Sequence, residues 1–366
     1  MSGDIHFRKL PPVWFIKILN LFRYGLLYIN RSIFPGNIVL YEHFQYLWLL
    51  PCIRVAAEFN IATILRDQPR TISELAALTG SNPEYLYRIM RGLIGNGIFK
   101  LRKDGRYVNS SMSKALIDGK DSLRYMIMQH LGSFNWGTFN ELIHAVRTGD
   151  DAVTKVQGKG IYDYLSEHPD ESELFTRSMS NLSELSIAPI LSAYDFSKFG
   201  ILADIGGGEG LLLSAILHKY PRLKGILFDR KESITRAESI FIKFGVKDKI
   251  KTIQGDFFES APGGADVYLL KNILHNWNDR DCVRILNNIM KVLPGEGKIL
   301  IIEMVVSENN KPSFSKLIDI QMMVSMKGGK ERTRKEYDTI LTNAGLKINK
   351  VIPTIAPISI IEVTKL

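Results

Sequence analysis

The sequence predicts an α/β fold in which a mostly helical winged-helix domain precedes a Rossmann-like, seven-stranded domain. From residue 199 onward, short apolar runs bounded by Gly, Pro and Asp alternate with amphipathic helical segments, as in a parallel sheet with crossover helices. The first of these runs leads through a glycine-rich loop into a helix. Upstream, residues 71–108 have the pattern of helix, turn, helix and β-hairpin. These three observations define the predicted class.

Composition places the chain among globular proteins with proper cores. Its 366 residues are 45% hydrophobic and 23% charged, so disorder is not expected. The net charge of +9 is mostly N-terminal, because residues 1–120 hold 16 Lys and Arg against 8 Asp and Glu. Cys52 and Cys282 are too few and too far apart for a disulfide framework or a zinc element. We therefore expect a protein of a reducing compartment, the cytoplasm, with no bound metal.

Residues 1–39 are predicted to form an amphipathic helical extension. The stretch 13–34 is strongly apolar, but a polar stripe recurs in it at three- to four-residue spacing, formed by Lys17, Asn20, Arg23, Asn30 and Arg31. A spanning helix would bury these charges in lipid, and no cleavage site typical of a secretory signal follows the stretch. Two readings stay open, a helix that packs on a partner subunit and an anchor on a membrane surface. We favour the first.

Residues 40–120 are predicted to be the winged-helix domain. Thr71 and Glu74 form a capping-box pattern before a helix that ends at Gly80, and Asp104-Gly105 marks the hairpin turn. In many regulators the second helix of this motif enters the major groove of DNA. Here that helix is loaded with Tyr, Leu, Ile and Met and offers few side chains that read base edges. We therefore expect it to pack against protein, and we expect no nucleic-acid partner.

Residues 121–190 are predicted to be a helical linker that forms a substrate pocket, and residues 191–366 the Rossmann-like domain. The predicted strands of that domain are short apolar runs, which lie at residues 201–205, 225–229, 250–255, 267–270, 298–304, 348–353 and 358–365. In doubly wound sheets, ligands bind at the carboxyl ends of the strands. Polar residues at those ends are therefore the candidates for a functional site.

A glycine loop, Asp204-Ile-Gly-Gly-Gly-Glu-Gly210, joins the first of these strands to a helix. Glycine lets the backbone approach a ligand at a helix N-terminus without a Cβ clash. Gly206 and Gly208 match the start of a dinucleotide fingerprint, but Leu211 stands where its third glycine belongs, and the phosphate-loop signature is missing. The loop thus indicates a nucleoside ligand without a pyrophosphate.

Acidic residues near the next two strand ends complete a predicted nucleoside cradle. Asp229 closes the second strand, a position from which a carboxylate accepts hydrogen bonds from ribose hydroxyls. Asp256 closes the third strand and is followed by Phe257. A carboxylate can bind an adenine amino group while an aromatic ring beside it stacks on the adenine face. The less favoured alternative is that Phe257 closes a buried strand end.

His275 follows the fourth strand, at the sheet edge that also holds the glycine loop. Histidine is suited to removing a hydroxyl proton near neutral pH. Taken alone it is more often a structural hydrogen-bonder, but Glu303 closes the fifth strand and Glu331 lies in a loop before the last helix. A carboxylate that accepts from the second imidazole nitrogen would orient such a base.

With these motifs the chain resembles the small-molecule O-methyltransferases of the plant caffeic-acid type and the bacterial antibiotic type. The resemblance covers roughly residues 40–366. It rests on five motifs in the family's order: Ala145-Val-Arg-Thr-Gly149, Asp204-Ile-Gly-Gly-Gly-Glu-Gly210, Gly255-Asp-Phe-Phe258, Leu270-Lys-Asn-Ile-Leu-His-Asn-Trp277 and Gly328-Gly-Lys-Glu-Arg-Thr333.

The resemblance implies a homodimer and an enzyme that uses S-adenosylmethionine to methylate a hydroxyl of a small, aromatic or polyketide-like metabolite. By this likeness His275 is the base with Glu303 and Glu331 beside it, and Trp136, Phe175, Met179 and Asn276 face the substrate. The cofactor would be bound by the glycine loop and the strand ends that follow it, through Asp204, Gly206, Gly208, Asp229 for the ribose, Asp256 and Phe257 for the adenine, and Lys271.

Asn276 departs from the family pattern, which usually has Asp directly after the base. A neutral amide adds no charge that would raise the basicity of His275. Two alternative functions stay open on the sequence alone. One is a cofactor-binding relative that catalyses hydroxylation or ring formation, and the other is a winged-helix regulator that senses a nucleoside.

Overall fold

Helices dominate the N-terminal half of the chain, and the computed structural model describes residues 10–119 and 121–366. The first nine residues of the predicted extension thus lie outside the described residues. The helices are α1 (Val13–Ile33), α2 (Gly36–Phe44), α3 (Tyr46–Glu58), α4 (Ile61–Ile64), α5 (Ile72–Thr79), α6 (Pro83–Gly95), α7 (Arg124–His130), α8 (Ser133–Asn140), α9 (Leu142–Thr148), α10 (Ala152–Gln157), α11 (Ile161–Glu167), α12 (Pro169–Ala193), α13 (Leu211–Lys219), α14 (Lys231–Phe244), α15 (Asp279–Met290), α16 (Phe314–Ser325) and α17 (Arg334–Asn343).

The strands form two sheets. They are β1 (Phe99–Leu101), β2 (Tyr107–Asn109), β3 (Ile201–Ile205), β4 (Lys224–Asp229), β5 (Ile250–Gln254), β6 (Val267–Lys271), β7 (Lys298–Val306), β8 (Arg332–Thr333), β9 (Leu346–Pro353) and β10 (Ile358–Lys365). Strands β1 and β2 form the predicted antiparallel hairpin, with Lys100 opposite Val108. The seven predicted strands of the large sheet are all present, and β8 is an additional two-residue strand beside β7.

Local signals explain the helices of the winged element. Thr71 and Glu74 make the reciprocal capping box at the start of α5, and Gly80 ends it in the left-handed conformation. The side chain of Asn82 caps α6, and Pro83 occupies the first helical position, where its missing N–H costs no hydrogen bond. Leu86, Met90 and Leu93 of α6 are buried in the core of this element, and the predicted packing of the helix against a protein partner stays a prediction.

One proline, Pro51, does not end its helix. It lies inside α3, which continues to Glu58. Proline removes one backbone donor and crowds the preceding turn, but tertiary packing can outweigh that cost. Ala56 and Ala57, in the last turn of α3, are buried in the core of the winged element.

The large sheet has the strand order β5-β4-β3-β6-β7-β10-β9, with β8 on β7. Strands β3 to β7 are parallel, whereas β10 runs antiparallel to both of its neighbours. The order reverses between β3 and β6, since the chain moves outward to β4 and β5 and then returns. Ligands of such sheets bind at this switch point, outside the carboxyl ends of the strands.

Alternate residues of each strand enter two different cores. On one face, Leu202, Leu269 and Leu300 pack with residues of α13 and α14. On the other face, Ala203 and Tyr268 pack with residues of α15 and α17. Both faces are apolar, which explains why these strands are continuous hydrophobic runs rather than alternating patterns.

Spatially, the described residues divide into two compact units. One consists of residues 10–20, 141–161 and 183–366, and the other of 21–119, 121–140 and 162–182. The sequence boundaries at residues 39, 120 and 190 stay predictions, because the units are made of interleaved segments rather than consecutive ones.

Helix α1 exposes large apolar side chains and buries none. Phe22 is 67% exposed, and Trp14 and Ile33 are also exposed. No helix within the described ranges combines the length and hydrophobicity that crossing a bilayer requires.

Candidate active site

The glycine loop, residues 206–210, adopts a backbone that side chains rarely allow. Gly206, Gly208 and Gly210 have φ angles of 66°, 60° and 73°. A Cβ on Gly206 would lie 2.6 Å from Cδ1 of Ile273, so that side chain would have to shift, and the positive φ favours glycine as well. A Cβ on Gly208 would meet nothing within 4 Å. The space in front of Gly208 is therefore room that a ligand can enter next to the backbone.

Asp229 ties the end of β4 to the glycine loop. Its Oδ2 accepts a hydrogen bond from the Gly208 amide at 2.7 Å, and its Oδ1 accepts one from the Arg230 amide at 2.6 Å. The carboxylate is thereby fixed beside the open space at Gly208. Each oxygen can accept a further hydrogen bond, as binding to ribose hydroxyls requires.

Asp204 on β3 is buried and interacts electrostatically with Lys271 on β6, which is half-buried. Burial raises the pKa of Asp204 to about 7, although Lys271 acts in the opposite direction. Burial also lowers the pKa of Lys271 to about 8, against the attraction of Asp204. The Lys271 ammonium donates to the hydroxyl of Ser183 on α12 at 3.0 Å. The pair lies at the switch point of the sheet, where desolvation is strong.

Asp256 and Phe257 lie after β5, as predicted. The Oδ1 atom of Asp256 accepts from the amide of Phe258 at 2.8 Å, which fixes the carboxylate and leaves Oδ2 available. The Phe257 ring lies beside the glycine loop, since a Cβ on Gly206 would be 3.4 Å from it. The predicted adenine-binding residues and the glycine loop are therefore neighbours.

His275 lies in the β6–α15 loop, residues 272–278, with its imidazole against Glu331. Nδ1 of His275 is 2.8 Å from Oε1 of Glu331, and the two side chains are only 13% and 1% exposed. Burial lowers the pKa of His275, but the hydrogen bond to Glu331 and the charges of Glu303 and Glu331 outweigh it, so the net shift is upward. Burial has the opposite effect on an acid, and it raises the pKa of Glu331.

Glu303 has a different partner from the one that its position suggested. It lies inside β7 rather than at its end, and its Oε1 accepts from the backbone amides of residues 273, 274 and 275 at 2.9, 2.6 and 3.2 Å. The imidazole of His275 is therefore oriented by Glu331, while Glu303 holds the backbone on which His275 is carried. A strand pattern predicts where a residue lies, but not whether its side chain reaches a ring or a backbone.

Asn276 makes a hydrogen bond within the β6–α15 loop. Its side-chain amide donates to the carbonyl of Asn272 at 3.1 Å. Asn272 has a φ of 54°, a left-handed conformation that a non-glycine residue adopts at some cost. An amide can donate to this carbonyl and an ionised Asp cannot, which gives a physical reason for Asn at this position. Its predicted contact with substrate stays a prediction.

Trp136, Phe175 and Met179, the other predicted substrate residues, belong to the compact unit that includes α8 and the first half of α12. Trp136 is 39% exposed. Their role toward an acceptor stays a prediction.

Two residues of the site carried no signal that pointed to their roles. Tyr337 of α17 is fully buried and donates its hydroxyl proton to Oε2 of Glu303. Arg332 is also fully buried, and its guanidinium contacts two carbonyls of the β6–α15 loop. Arg332 belongs to the motif at residues 328–333, but the motif did not indicate its contacts. Tyr337 lies on the apolar face of a helix, as an ordinary core residue would.

Comparison with known proteins agrees with this geometry. A family model for the O-methyltransferase domain matches residues 139–347, and a model for the O-methyltransferase dimerisation domain matches residues 41–119. The chain therefore belongs to the O-methyltransferase family and is an S-adenosylmethionine-dependent methyltransferase. The winged element falls within the match to the dimerisation domain.

Three relatives illustrate the similarity. The chain is 34% identical to a phenazine O-methyltransferase of Lysobacter antibioticus, over 90% of this chain and 96% of that protein. It is 32% identical to a mitomycin biosynthesis 6-O-methyltransferase of Streptomyces lavendulae, over 87% and 91%. The crystal structure of NcsB1, from neocarzinostatin biosynthesis, holds S-adenosylmethionine and a hydroxynaphthoic acid; it matches with a TM-score of 0.73 and 31% identity, over 87% and 96%.

Within the described ranges, no group of three or more His, Cys, Asp or Glu side chains could hold a metal ion. Both cysteines are free, and Cys282 is buried.

Proposed function

We propose that this enzyme methylates a hydroxyl group of a small aromatic metabolite and that His275 is the general base. The observation that carries the proposal is the buried contact between Nδ1 of His275 and Oε1 of Glu331 at 2.8 Å. His275 lies in the loop after β6, the strand that neighbours β3 and its glycine loop. A histidine and an orienting carboxylate at the ligand edge of the sheet form the arrangement that general-base catalysis requires.

The cofactor is assigned to the cradle formed by the glycine loop, Asp229, Asp256, Phe257 and the Lys271–Asp204 pair. The chemistry of these donors fits S-adenosylmethionine, because Gly208 leaves open space and two fixed carboxylates stand at successive strand ends. S-adenosylmethionine supplies an electrophilic methyl group, whose bond electrons return to sulfur as the acceptor oxygen forms the new C–O bond. The chain's own contribution is to hold the acceptor in line for this transfer and to remove its proton.

The proton leaves the acceptor hydroxyl for His275. Glu331 accepts from Nδ1–H, which leaves the lone pair of Nε2 to take the proton. The resulting imidazolium is stabilised by the same carboxylate. Since the pKa of His275 is raised, the ring is a stronger base than free imidazole, and it is ready only above that raised pKa.

An aromatic acceptor is supported by the relatives. Their names specify a phenazine, a mitomycin, an aminohydroxybenzoate and a dihydroxynaphthoate as the compounds that they methylate or help to make. Trp136, Phe175 and Met179 are the side chains that we assign to an aromatic acceptor, as apolar residues that can pack on a flat ring.

We further propose a homodimer. The match to the dimerisation domain covers residues 41–119. Near the start of this region, helices α2 and α3 expose apolar side chains, among them Leu40, Tyr41 and Trp48. Apolar surface of this extent is usually covered by a partner. Light scattering should give a mass of twice 41.5 kDa.

The function is tested by incubation with methyl-labelled S-adenosylmethionine and a panel of phenols. The panel contains hydroxyphenazines, 1,4-dihydroxy-2-naphthoic acid, 3-amino-4-hydroxybenzoate and 2,7-dihydroxy-5-methyl-1-naphthoate. Each is paired with a control in which every phenolic hydroxyl is replaced by a methyl ether. We expect label on at least one free phenol and on no ether. Binding of S-adenosylhomocysteine without methylation of any hydroxylated acceptor would favour a non-methylating relative instead.

A further inference from the structure

The β6–α15 loop is held from one side through Glu303. The Oε1 atom of Glu303 accepts from three consecutive amides, those of residues 273 to 275, while Oε2 accepts from the hydroxyl of Tyr337. Glu303 and Tyr337 are 0% exposed. A buried carboxylate needs its hydrogen bonds satisfied, so the Tyr337 hydroxyl fixes the orientation of Glu303. The direction of the loop amides follows from it.

The carbonyls of the same loop are held from the other side by Arg332. Its Nη1 donates to the carbonyl of Leu274 at 2.9 Å, and its Nη2 donates to that of Trp277 at 2.7 Å. Nε and Nη2 also contact Oδ1 of Asp279, at 3.0 and 2.8 Å. The two carbonyls lie on either side of His275 in the chain. The planar fork of an arginine can span such a set of acceptors, which the point charge of a lysine cannot do.

The segment that carries Arg332 also packs directly on the loop. The amide of Lys330 donates to the carbonyl of His275 at 2.8 Å. A Cβ on Gly329 would lie 3.0 Å from that carbonyl, and one on Gly328 would lie 2.8 Å from the Cβ of Asn278. The glycines thus allow the approach that places Glu331 against the imidazole and Arg332 under the carbonyls. The amides of residues 273 to 275 and the carbonyls of Leu274, His275 and Trp277 are therefore held by groups outside the loop.

We propose that Arg332 and Tyr337 are positioning residues for His275, which act on the backbone of the β6–α15 loop and set the contact between the imidazole and Glu331. The inference rests on the proposed role of His275 as the base. Its physical basis is that proton transfer and methyl transfer require the base to be placed within a fraction of an ångström, and a displacement of about 1 Å can cost roughly a hundredfold in rate.

The first test is Arg332→Lys, with Arg124→Lys as the matched control. Arg332 is fully buried and the Arg124 side chain is 12% exposed. Both donate to two backbone carbonyls and pair with an aspartate; Arg124 does so with Ala57, Glu58 and Asp118 in the other compact unit. Both substitutions keep the charge and remove the fork. The pKa of His275 is measured by NMR on 15N-histidine-labelled enzyme, in which the signal is assigned by its loss in His275→Ala.

We expect Arg332→Lys to lower the pKa of His275 toward its ordinary value, because the contact with Glu331 loosens while the net charge stays the same. With the phenol that the wild-type enzyme methylates, kcat should fall roughly tenfold to a hundredfold, and the Kd for S-adenosylhomocysteine should change less than about twofold. Arg124→Lys should lower the melting temperature and leave both the His275 pKa and kcat unchanged. If Arg332→Lys behaves like this control, Arg332 is merely structural and the inference is wrong.

The second test removes a single oxygen atom. Tyr337→Phe leaves the packing of the ring intact, and its control is Tyr268→Phe, a fully buried tyrosine in the same core whose hydroxyl donates to the carbonyl of Pro262 at 2.9 Å. We expect kcat to fall at least about fivefold in Tyr337→Phe alone, with the Kd for S-adenosylhomocysteine unchanged in both. Equal kcat in the two variants would overturn the role of Tyr337.

Failure of this inference is distinct from failure of the proposed function. If His275→Ala keeps near-normal methyl transfer, His275 is not the base, and no positioning role toward it can exist. If His275→Ala loses activity while Arg332→Lys and Tyr337→Phe keep both kcat and the His275 pKa, the base is correct and the positioning inference alone is wrong.

Discussion

The glycine loop and the β6–α15 loop follow neighbouring strands at the same edge of the sheet, yet they differ in how much of their surroundings is filled. Open space lies in front of Gly208, and the side chain of Asp229 accepts a hydrogen bond from its amide. In the second loop, Glu303, Lys330 and Arg332 hold the backbone around His275. We propose that the difference separates two tasks, because a loop that binds a ligand must leave room, whereas a loop that carries a base must leave it little freedom.

The largest effect is expected when the proposed base is removed from the β6–α15 loop while the glycine loop stays intact. His275→Ala should lower kcat by about two to four orders of magnitude, the usual contribution of a general base. The Kd for S-adenosylhomocysteine, measured by calorimetry, should stay within about twofold of wild type, because the glycine loop is untouched. A parallel loss of cofactor affinity would show that the two loops do not have separate tasks.

The reverse experiment fills the open space of the glycine loop. Gly208→Ala and Gly245→Ala both place a side chain at a left-handed φ, of 60° and 66°, with nothing within 4 Å of the new Cβ. Each should destabilise the fold by about 1 kcal/mol. Only Gly208→Ala should weaken S-adenosylhomocysteine binding, by roughly tenfold or about 1.4 kcal/mol. Equal affinity in the two variants would mean that no ligand approaches Gly208.

A smaller effect tests the internal hydrogen bond of the β6–α15 loop. Asn276→Asp replaces the donor to the Asn272 carbonyl by an ionised acceptor, which should destabilise the enzyme by about 1 to 2 kcal/mol in thermal or denaturant unfolding. The added charge should also raise the pKa of His275 further. Asn349→Asp offers a control, since the Asn349 side chain accepts from Thr364 at an exposed site and an Asp keeps that acceptor. Comparable loss in both variants would contradict the role assigned to Asn276.

Much of the fold could be predicted because its signals are local. Strands β3 and β10 have the predicted bounds, and the capping box at Thr71 and the turn at Asp104-Gly105 lie where expected. Strand β8 could not be predicted, because its two residues form a strand only through pairing with Val305 and Val306 of β7. Pro51 lies inside α3 although proline locally disfavours helix interiors, because tertiary packing can outweigh that preference.

In the site, the sequence indicated which residues lie at the strand ends but not what each side chain contacts. His275 and Glu331 meet as predicted, although they are 56 residues apart. Glu303 contacts backbone amides rather than the imidazole, since a strand residue's partner depends on the loop that folds over it. The role of Tyr337 could not be predicted, because its hydroxyl contacts Glu303 only in the folded chain. In the sequence the residue fits the apolar face of α17.

The central claim, that Glu331 orients His275 and sets its basicity, is tested most directly by pH–rate profiles of wild type and Glu331→Gln. The base must be neutral, so activity falls as pH drops through its pKa, and the raised pKa places this acidic limb above the ordinary histidine range near 6.5. Removing the Glu331 charge and its hydrogen bond should lower the pKa of His275, move the acidic limb to lower pH, and reduce the plateau rate by roughly tenfold. An acidic limb that stays in place in Glu331→Gln would contradict the account.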